Sequence, residues 1–471
     1  MLFSSMLFLW LFLPAVLIFN LILPAKCSNL FLLAASLVFY AWGEQEYIWV
    51  LACSLVVNYF GALWLERLGK RKEQTGLRRL TFVGILGVNL LLLGYFKYFN
   101  FLSELAQKLV TREMVPAAET VLPVGISFFT FHMISYTADV YLGKLPAERR
   151  FLDLALSISF FPKMIQGPIE RYGNMSAFIR ERHVTPEGFA YGARRFIYGL
   201  GKKVILANQF GSVVDKVLAV PMDQISGGLG WYIGILYTLQ IYFDFSGYSD
   251  MAVGLGKMLG FGLTENFNYP YLAKNVGEFW RRWHISLSSW FKDYVYIPLG
   301  GSRKGQARTC LNLMIVFICT GVWHGAGLSF IAWGLYYGGL QVAERLFLRD
   351  RLKKLPGAVS VVYMALVTVV GWTMFRADSL TRGLLLLKQM FLFRPGIYDV
   401  SMYVTRRTTL FMVLGILLCG PVQAAFPRLK AHMYDETSVH LGEWVWLLLV
   451  FSYSIVMAVG STYNPFIYFR F

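Results

Sequence analysis

Two histidines stand where titratable groups are costly to place. His324 lies in Thr320-Gly-Val-Trp-His324-Gly-Ala-Gly327, near the middle of an apolar run from Cys310 to Leu340 that is long enough to cross a bilayer. Only His324 in that run would titrate near neutral pH. A histidine at membrane depth usually faces a cavity or a partner, so the first reading is functional. The bland alternative is a packing histidine hydrogen-bonded to a neighbouring helix. Glycines on both sides of His324 would let a ligand or another backbone approach closely, and they imply a broken helix.

His284 occurs in Asn275-Val-Gly-Glu-Phe-Trp-Arg-Arg-Trp-His284-Ile-Ser-Leu-Ser-Ser-Trp-Phe-Lys-Asp-Tyr294. At helical spacing Trp280, Trp283, Leu287 and Trp290 share one face, with Arg281, Arg282 and Ser288 lying around from it. An interfacial amphipathic helix with an aromatic belt explains the tryptophans and arginines, but it does not need His284. Asp244 and Asp250 flank Ser246-Gly247 at a spacing that does not put both carboxylates on one helical face, so a glycosidase-like pair is not indicated. Capping or a turn at Ser246-Gly247 is the simpler account. Gly300-Gly-Ser-Arg303-Lys304-Gly305 lacks P-loop spacing and reads as a solvated loop. No Ser-His-Asp order and no metal-ligand spacing is recoverable. His132 reads as a packing residue in a span, and His183, His432 and His440 as solvated.

These residues need a frame, and composition supplies it. The chain has 471 residues, of which 56% are hydrophobic and only 15% charged, which excludes an ordinary soluble protein. The formal charge of +17 would suit nucleic acid, but in a membrane protein excess Lys and Arg mark cytoplasmic loops, so no nucleic-acid partner is expected. A basic mouth for anionic substrates would add to it. Cys27, Cys53, Cys310, Cys319 and Cys419 show neither metal-like nor paired spacing.

Spans are expected at Leu2–Leu23, Asn29–Trp42, Tyr47–Leu65, Leu80–Phe101, Val121–Leu142, Cys310–Leu340, Ala358–Phe375, Thr408–Phe426 and Gly442–Gly460. Leu2–Leu23 lacks a basic leader and a cleavage site, and is expected as a retained first span. The basic loops around Arg67–Arg79, Lys144–Arg150 and Arg345–Lys354 are expected in the cytoplasm, with the N-terminus and Ser103–Glu119 outside. From Phe151 to Gly305, prolines, glycines and charges such as Lys163 and Glu170 interrupt short apolar segments, the pattern of broken or re-entrant helices around a cavity. The expected fold is therefore an all-α polytopic membrane protein, one unit over residues 1–471 with about ten to twelve crossings. Its parts are N-terminal spans (1–142), a core with broken helices (151–345), C-terminal spans (358–461) and an aromatic tail (462–471). On sequence alone the tail favours a membrane-interface anchor over docking into the protein.

These stretches together resemble the membrane-bound O-acyltransferase superfamily, in its alginate O-acetylase-like bacterial branch. The resemblance rests on Leu122-Pro-Val-Gly-Ile-Ser-Phe-Phe-Thr-Phe, Phe161-Pro-Lys-Met-Ile-Gln-Gly-Pro-Ile, Asp244-Phe-Ser-Gly-Tyr-Ser-Asp-Met-Ala, Phe279-Trp-Arg-Arg-Trp-His-Ile-Ser-Leu-Ser and Tyr296-Ile-Pro-Leu-Gly-Gly. Val322-Trp-His-Gly, Gly371-Trp-Thr-Met-Phe-Arg-Ala and Asn464-Pro-Phe-Ile-Tyr-Phe complete it, over nearly the whole chain and in order. It implies that His324 is the catalytic histidine and His284 the second site residue, set in helices around a central funnel. Trp323, Trp283, Arg281, Arg282, Asp244, Ser246, Asp250 and Arg303 are the accompanying candidates for substrate contact. The implied donor is an acyl-CoA or acyl-carrier thioester on the cytoplasmic side, with no tightly bound cofactor. The implied acceptor is a polysaccharide outside, reached with an extracytoplasmic SGNH-type partner, and the setting is the bacterial inner membrane and its lipid. The resemblance also raises Tyr468 from anchor to acyl acceptor. Lys163 departs from the neutral polar residue common in relatives.

Two rivals share parts of the pattern. D-alanyl transfer to teichoic acid uses the same histidine motifs, although Tyr296-Ile-Pro-Leu-Gly-Gly and the self-encoded tail favour the alginate-like branch. A secondary transporter also fits broken helices and buried charges, but no inverted repeat is present in the sequence.

Overall fold

The computed structural model describes residues 1–109, 120–434, 441–461 and 463–465. Its elements are α-helices: α1 Leu13–Ile22, α2 Ala25–Ala41, α3 Ile48–Gly69, α4 Thr75–Leu109, α5 Ile126–Tyr141, α6 Phe151–Ser159, α7 Phe161–Met164 and α8 Tyr172–Arg180. Then come α9 Pro186–Gly201, α10 Asn208–Leu218, α11 Gly227–Met258, α12 Val276–Arg282, α13 Ile285–Phe291, α14 Gln306–His324, α15 Leu328–Ala343 and α16 Arg349–Lys354. The last are α17 Gly357–Arg376, α18 Leu380–Leu392, α19 Arg406–Leu418, α20 Pro421–Ala425, α21 Pro427–Tyr434 and α22 Leu441–Val459. Among the described residues there is no strand, only two isolated bridges. Five stretches are long and apolar enough to cross a membrane: Gln45–Gly69, Thr75–Gln107, Gln306–His324, Gly357–Arg376 and Leu441–Val459.

The described chain packs as two compact units, Met1–Ala193 with Ala252–Thr264, and Arg194–Met251 with Glu265 onward. In the first, α3, α4 and α5 are joined by a buried amide pair. Asn58 and Asn89 exchange hydrogen bonds at 3.0 Å each, and Thr137 donates to Asn58 Oδ1 at 2.8 Å. Such reciprocal pairing satisfies polar groups that lipid could not. Every residue of α5 from Ile126 to Val140 is buried, so this apolar segment is core as much as span.

The second unit holds both histidines, and three of its elements differ from the sequence reading. Cys310–Leu340 is a hairpin of α14 and α15, not one crossing. Thr408–Phe426 breaks at Gly420 (φ 160°), where Pro421 begins α20. Asp244–Asp250 lies inside the continuous 32-residue α11, so Ser246-Gly247 forms neither cap nor turn. Gly247 serves packing instead: a Cβ there would stand 2.7 Å from the Gly199 carbonyl oxygen on α9.

Candidate active site

α14 ends at His324 because Gly325 and Gly327 run extended (φ −174° and −169°) before α15 begins. The imidazole is buried, at 6% exposure. Trp333 of α15 and Phe375 of α17 pack edge-on to it, both at 5.2 Å between ring centroids, and Trp323 lies at 4.9 Å. Of the two uses the sequence left open for the neighbouring glycines, a ligand or another backbone, the second is seen. A Cβ on Gly321 would sit 2.4 Å from the Phe330 carbonyl oxygen, and one on Gly325 would sit 2.2 Å from the Phe330 ring. Their missing side chains let α15 close against α14.

His284 is set by a second break. The Asn275 side chain caps α12 by accepting from the Glu278 N–H at 2.8 Å. α12 stops at Arg282, where Trp283 bridges Phe267 in antiparallel fashion. The Asn268 N–H donates to the Arg282 carbonyl at 2.9 Å and the Ile285 N–H to the Asn266 carbonyl at 3.0 Å. Between these bonds His284 adopts a left-handed conformation (φ 44°, ψ 56°), which costs a non-glycine residue about 1–3 kcal/mol. The break corrects the amphipathic-helix reading, since Trp280 and Trp290 belong to different short helices.

The strained backbone aims a defined tautomer. Asn266 Oδ1 accepts from the Ser286 N–H at 3.1 Å, from Ser286 Oγ at 2.8 Å, and meets His284 Nδ1 at 3.3 Å. The backbone donor identifies that atom as the amide oxygen, so Nδ1 must carry the proton it donates. Nε2 keeps its lone pair and has no hydrogen-bond partner among the described residues. Phe245 of α11 packs edge-on to this imidazole at 4.6 Å, and Trp323 lies 6.2 Å away. Trp323 is thus the ring common to both histidines. Trp283 joins the same enclosure through Trp372 at 4.8 Å and Phe267 at 5.1 Å.

The remaining candidates are dispersed around this enclosure. Asp250 has both oxygens engaged, by Arg195 at 2.5 Å and Lys202 at 2.6 Å. Asp244 pairs with Lys203, whose ammonium also reaches the Pro465 carbonyl. Ser246 is buried with no partner for its hydroxyl among the described residues. Arg282 pairs with Glu278 at 2.7 Å, and Arg281 lines a polar cavity. Arg303 is exposed on the loop before α14. His183 is exposed, and His132 is a packing residue of the first unit whose Nε2 accepts the Glu170 N–H at 3.2 Å. Lys163, in that unit too, is fully buried. Tyr468 and His440 lie outside the described residues. The tail's described part docks on the protein: Tyr463 donates its hydroxyl to Asp215 at 2.6 Å, and Arg376 pairs with the same carboxylate at 2.6 Å.

Several residues escaped the sequence reading. Asn266 and Trp333 lie in no quoted motif, and Phe375, within Gly371–Ala377, was not named as a site residue. Nor does anything in the sequence mark Trp280 Nε1, Trp333 Nε1 and the Tyr337 hydroxyl as buried polar atoms without hydrogen-bond partners among the described residues. Their rings contact one another at 5.1–5.6 Å, and Trp333 touches His324. These three groups are donors, able to hydrogen-bond an oxygen atom placed beside them. Among the described residues no cluster of His, Cys, Asp and Glu could hold a metal ion.

Residues 37–385, which include both histidines and the rings around them, match the membrane-bound O-acyltransferase family. The chain belongs to that family. It is accordingly a multi-pass membrane acyltransferase. Over 506 aligned positions it is 37% identical to the probable alginate O-acetylase of Azotobacter vinelandii, with 100% of each chain covered. It is 31% identical to the peptidoglycan O-acetyltransferase of Helicobacter pylori, covering 100% of this chain and 98% of that one. Similarity to the teichoic acid D-alanyltransferase of Bacillus subtilis is 30% and covers 54% of this chain and 67% of that protein.

Proposed function

We propose that the protein is an O-acetyltransferase that carries an acetyl group from a cytoplasmic thioester to a hydroxyl of an extracytoplasmic polysaccharide. Full-length similarity to relatives named for alginate and peptidoglycan O-acetylation supports the acetyl group and the polymer. The D-alanyl alternative draws on a similarity over only 54% of the chain. A transport reading is set aside by family membership.

The observation that carries the reading is the Trp323 ring flanked by two imidazoles inside a buried aromatic enclosure. In the reaction, an acceptor hydroxyl attacks the thioester carbonyl, His324 takes its proton, the C–S bond breaks and the thiolate leaves with that proton. General-base assistance of this kind contributes roughly 10²–10⁴ in rate. His284 accepts a hydrogen bond at Nε2, from the attacking hydroxyl or from an N–H of the donor. Its tautomer argues against a donor role toward the acyl carbonyl. The Trp280 and Trp333 indole N–H groups and the Tyr337 hydroxyl supply donors for oxygen.

The donor is an acyl-CoA or an acyl-carrier thioester. An SGNH-type extracytoplasmic partner completes delivery to the polymer, and Tyr468 is the chain-borne candidate to hold the acetyl group between steps. The chain spans the bacterial inner membrane about ten to twelve times, the shorter helices completing the five long ones. The test is His324→Ala protein in vesicles with labelled acetyl-CoA and, separately, a charged carrier, with mass spectrometry of the C-terminal peptide. The variant inserts normally and transfers no label. Transfer at the native rate refutes the assignment.

A further inference from the structure

Next to the aromatic enclosure, the second unit contains a cavity of about 590 Å³ formed by α12, the C-terminal end of α15, α16 and the start of α17. That size is within the range of small-molecule sites, roughly 300–1,000 Å³. Five cationic side chains line it: Lys274, Arg281, Arg345, Arg349 and Lys353, the last of which pairs with Asp350 at 3.7 Å. None of the other four has an acidic side-chain partner among the described residues. The two acids in the wall are already engaged. Glu278 pairs with Arg282 at 2.7 Å and accepts the Lys274 N–H at 3.0 Å. Glu344 is buried and accepts the Val276 N–H at 2.9 and 3.0 Å and the Tyr363 hydroxyl at 3.2 Å.

Solvated cationic loops are common beside membrane spans. Here five cations and only two carboxylates line one cavity, which leaves a concave field that is net positive. We infer that this cavity is a binding site for a phosphate-bearing small molecule. Arginine matches phosphate through paired N–H groups, and three arginines with a lysine fit a ligand carrying two or more phosphate charges. Two sources share that chemistry: the phosphates of a nucleotide-bearing thioester donor, a choice that rests on the acyltransferase reading, and the headgroup of an anionic phospholipid. The wall is coupled to the chemistry. Arg281 stands three residues before His284, and Glu344 ties the end of α15, whose start follows His324, to the start of α12.

The test uses full-length protein in nanodiscs. Labelled CoA is one probe, with inorganic pyrophosphate as competitor. Native mass spectrometry in phosphatidylglycerol against phosphatidylcholine is the other. Saturable CoA binding that pyrophosphate displaces is expected. The double variant Arg345→Gln with Arg349→Gln weakens it about tenfold or more, as losing charge-assisted hydrogen bonds does. Arg345→Lys with Arg349→Lys retains most of it, and so does Arg428→Gln, a surface control. Because these side chains are exposed, melting temperatures should match the native protein; Lys274→Gln repeats the test if the double variant fails to fold. Selective retention of phosphatidylglycerol that the glutamine pair abolishes, without CoA binding, supports the site and names the lipid as its occupant. Absence of both interactions, in protein that still transfers acyl groups, overturns the site and leaves the acyltransferase reading standing. Binding of either probe that is unchanged in the double variant overturns it equally.

Discussion

Replacing Asn266 by leucine tests whether the second histidine is held by a specific acceptor. The amide oxygen accepts from the Ser286 backbone and hydroxyl and from His284 Nδ1, all three buried. Leucine fills a similar volume and accepts nothing. The Ser286 hydroxyl can turn elsewhere, but two N–H groups are stranded, at about 1–3 kcal/mol each and so about 2–6 kcal/mol together. The left-handed backbone of His284 depends on the same bonds. Catalysis suffers separately, because Nδ1 no longer fixes the tautomer and Nε2 loses its aim; displacement by about 1 Å costs on the order of 10²-fold in rate. Thermal unfolding in detergent measures the first effect and label transfer from the thioester measures the second. Asn266→Asp, which keeps the acceptor, should recover much of the lost stability. Native melting together with native transfer in Asn266→Leu would refute the tautomer argument.

Other expectations follow from individual contacts. Tyr337→Phe removes a buried hydroxyl without a described partner, so stability should hold or rise while transfer falls about tenfold, the loss of one hydrogen bond made only to the ligand. A fall in stability with unchanged transfer would contradict it. Gly321→Val drives a side chain into the Phe330 carbonyl; overpacking of this kind costs about 1–3 kcal/mol, read as a lower melting temperature, and a neutral result would deny that α14 and α15 meet there. Glu148, in the loop after α5, is partly desolvated, which raises its pKa. The Tyr172 hydroxyl, the Arg180 side chain and the Arg149 and Arg150 N–H groups outweigh this and hold it below the ordinary glutamate value. Its stabilisation is therefore present above the unfolded glutamate pKa and lost as pH falls through the lower folded value. Glu148→Gln should flatten the acid limb of a melting-temperature profile; an unchanged limb would remove Glu148 as its source.

The sequence by itself determined the class of the molecule and singled out the two histidines that the proposed reaction uses. Apolar runs of membrane-spanning length can only form helices, and a histidine within one is costly enough to stand out. The glycines beside His324 likewise announced the end of α14, because glycine is a poor helix former. Whether they admit a ligand or another backbone was left open, since only the packed hairpin shows Phe330 filling the space they leave. Periodicity misread Trp280–Trp290 as one helix, for the same reason that it missed Asn266. The break at His284 is made by a bridge from Phe267 and bonds to Asn266, residues distant in the chain with no local signal of their own. Charges gave a similar lesson: Asp250 and Arg281 look alike as isolated polar residues in an apolar sequence. Tertiary structure neutralises the first with Arg195 and Lys202 and leaves the second open to a cavity. Local sequence can state that a group is costly to bury; which partner bears that cost is decided only when distant helices meet.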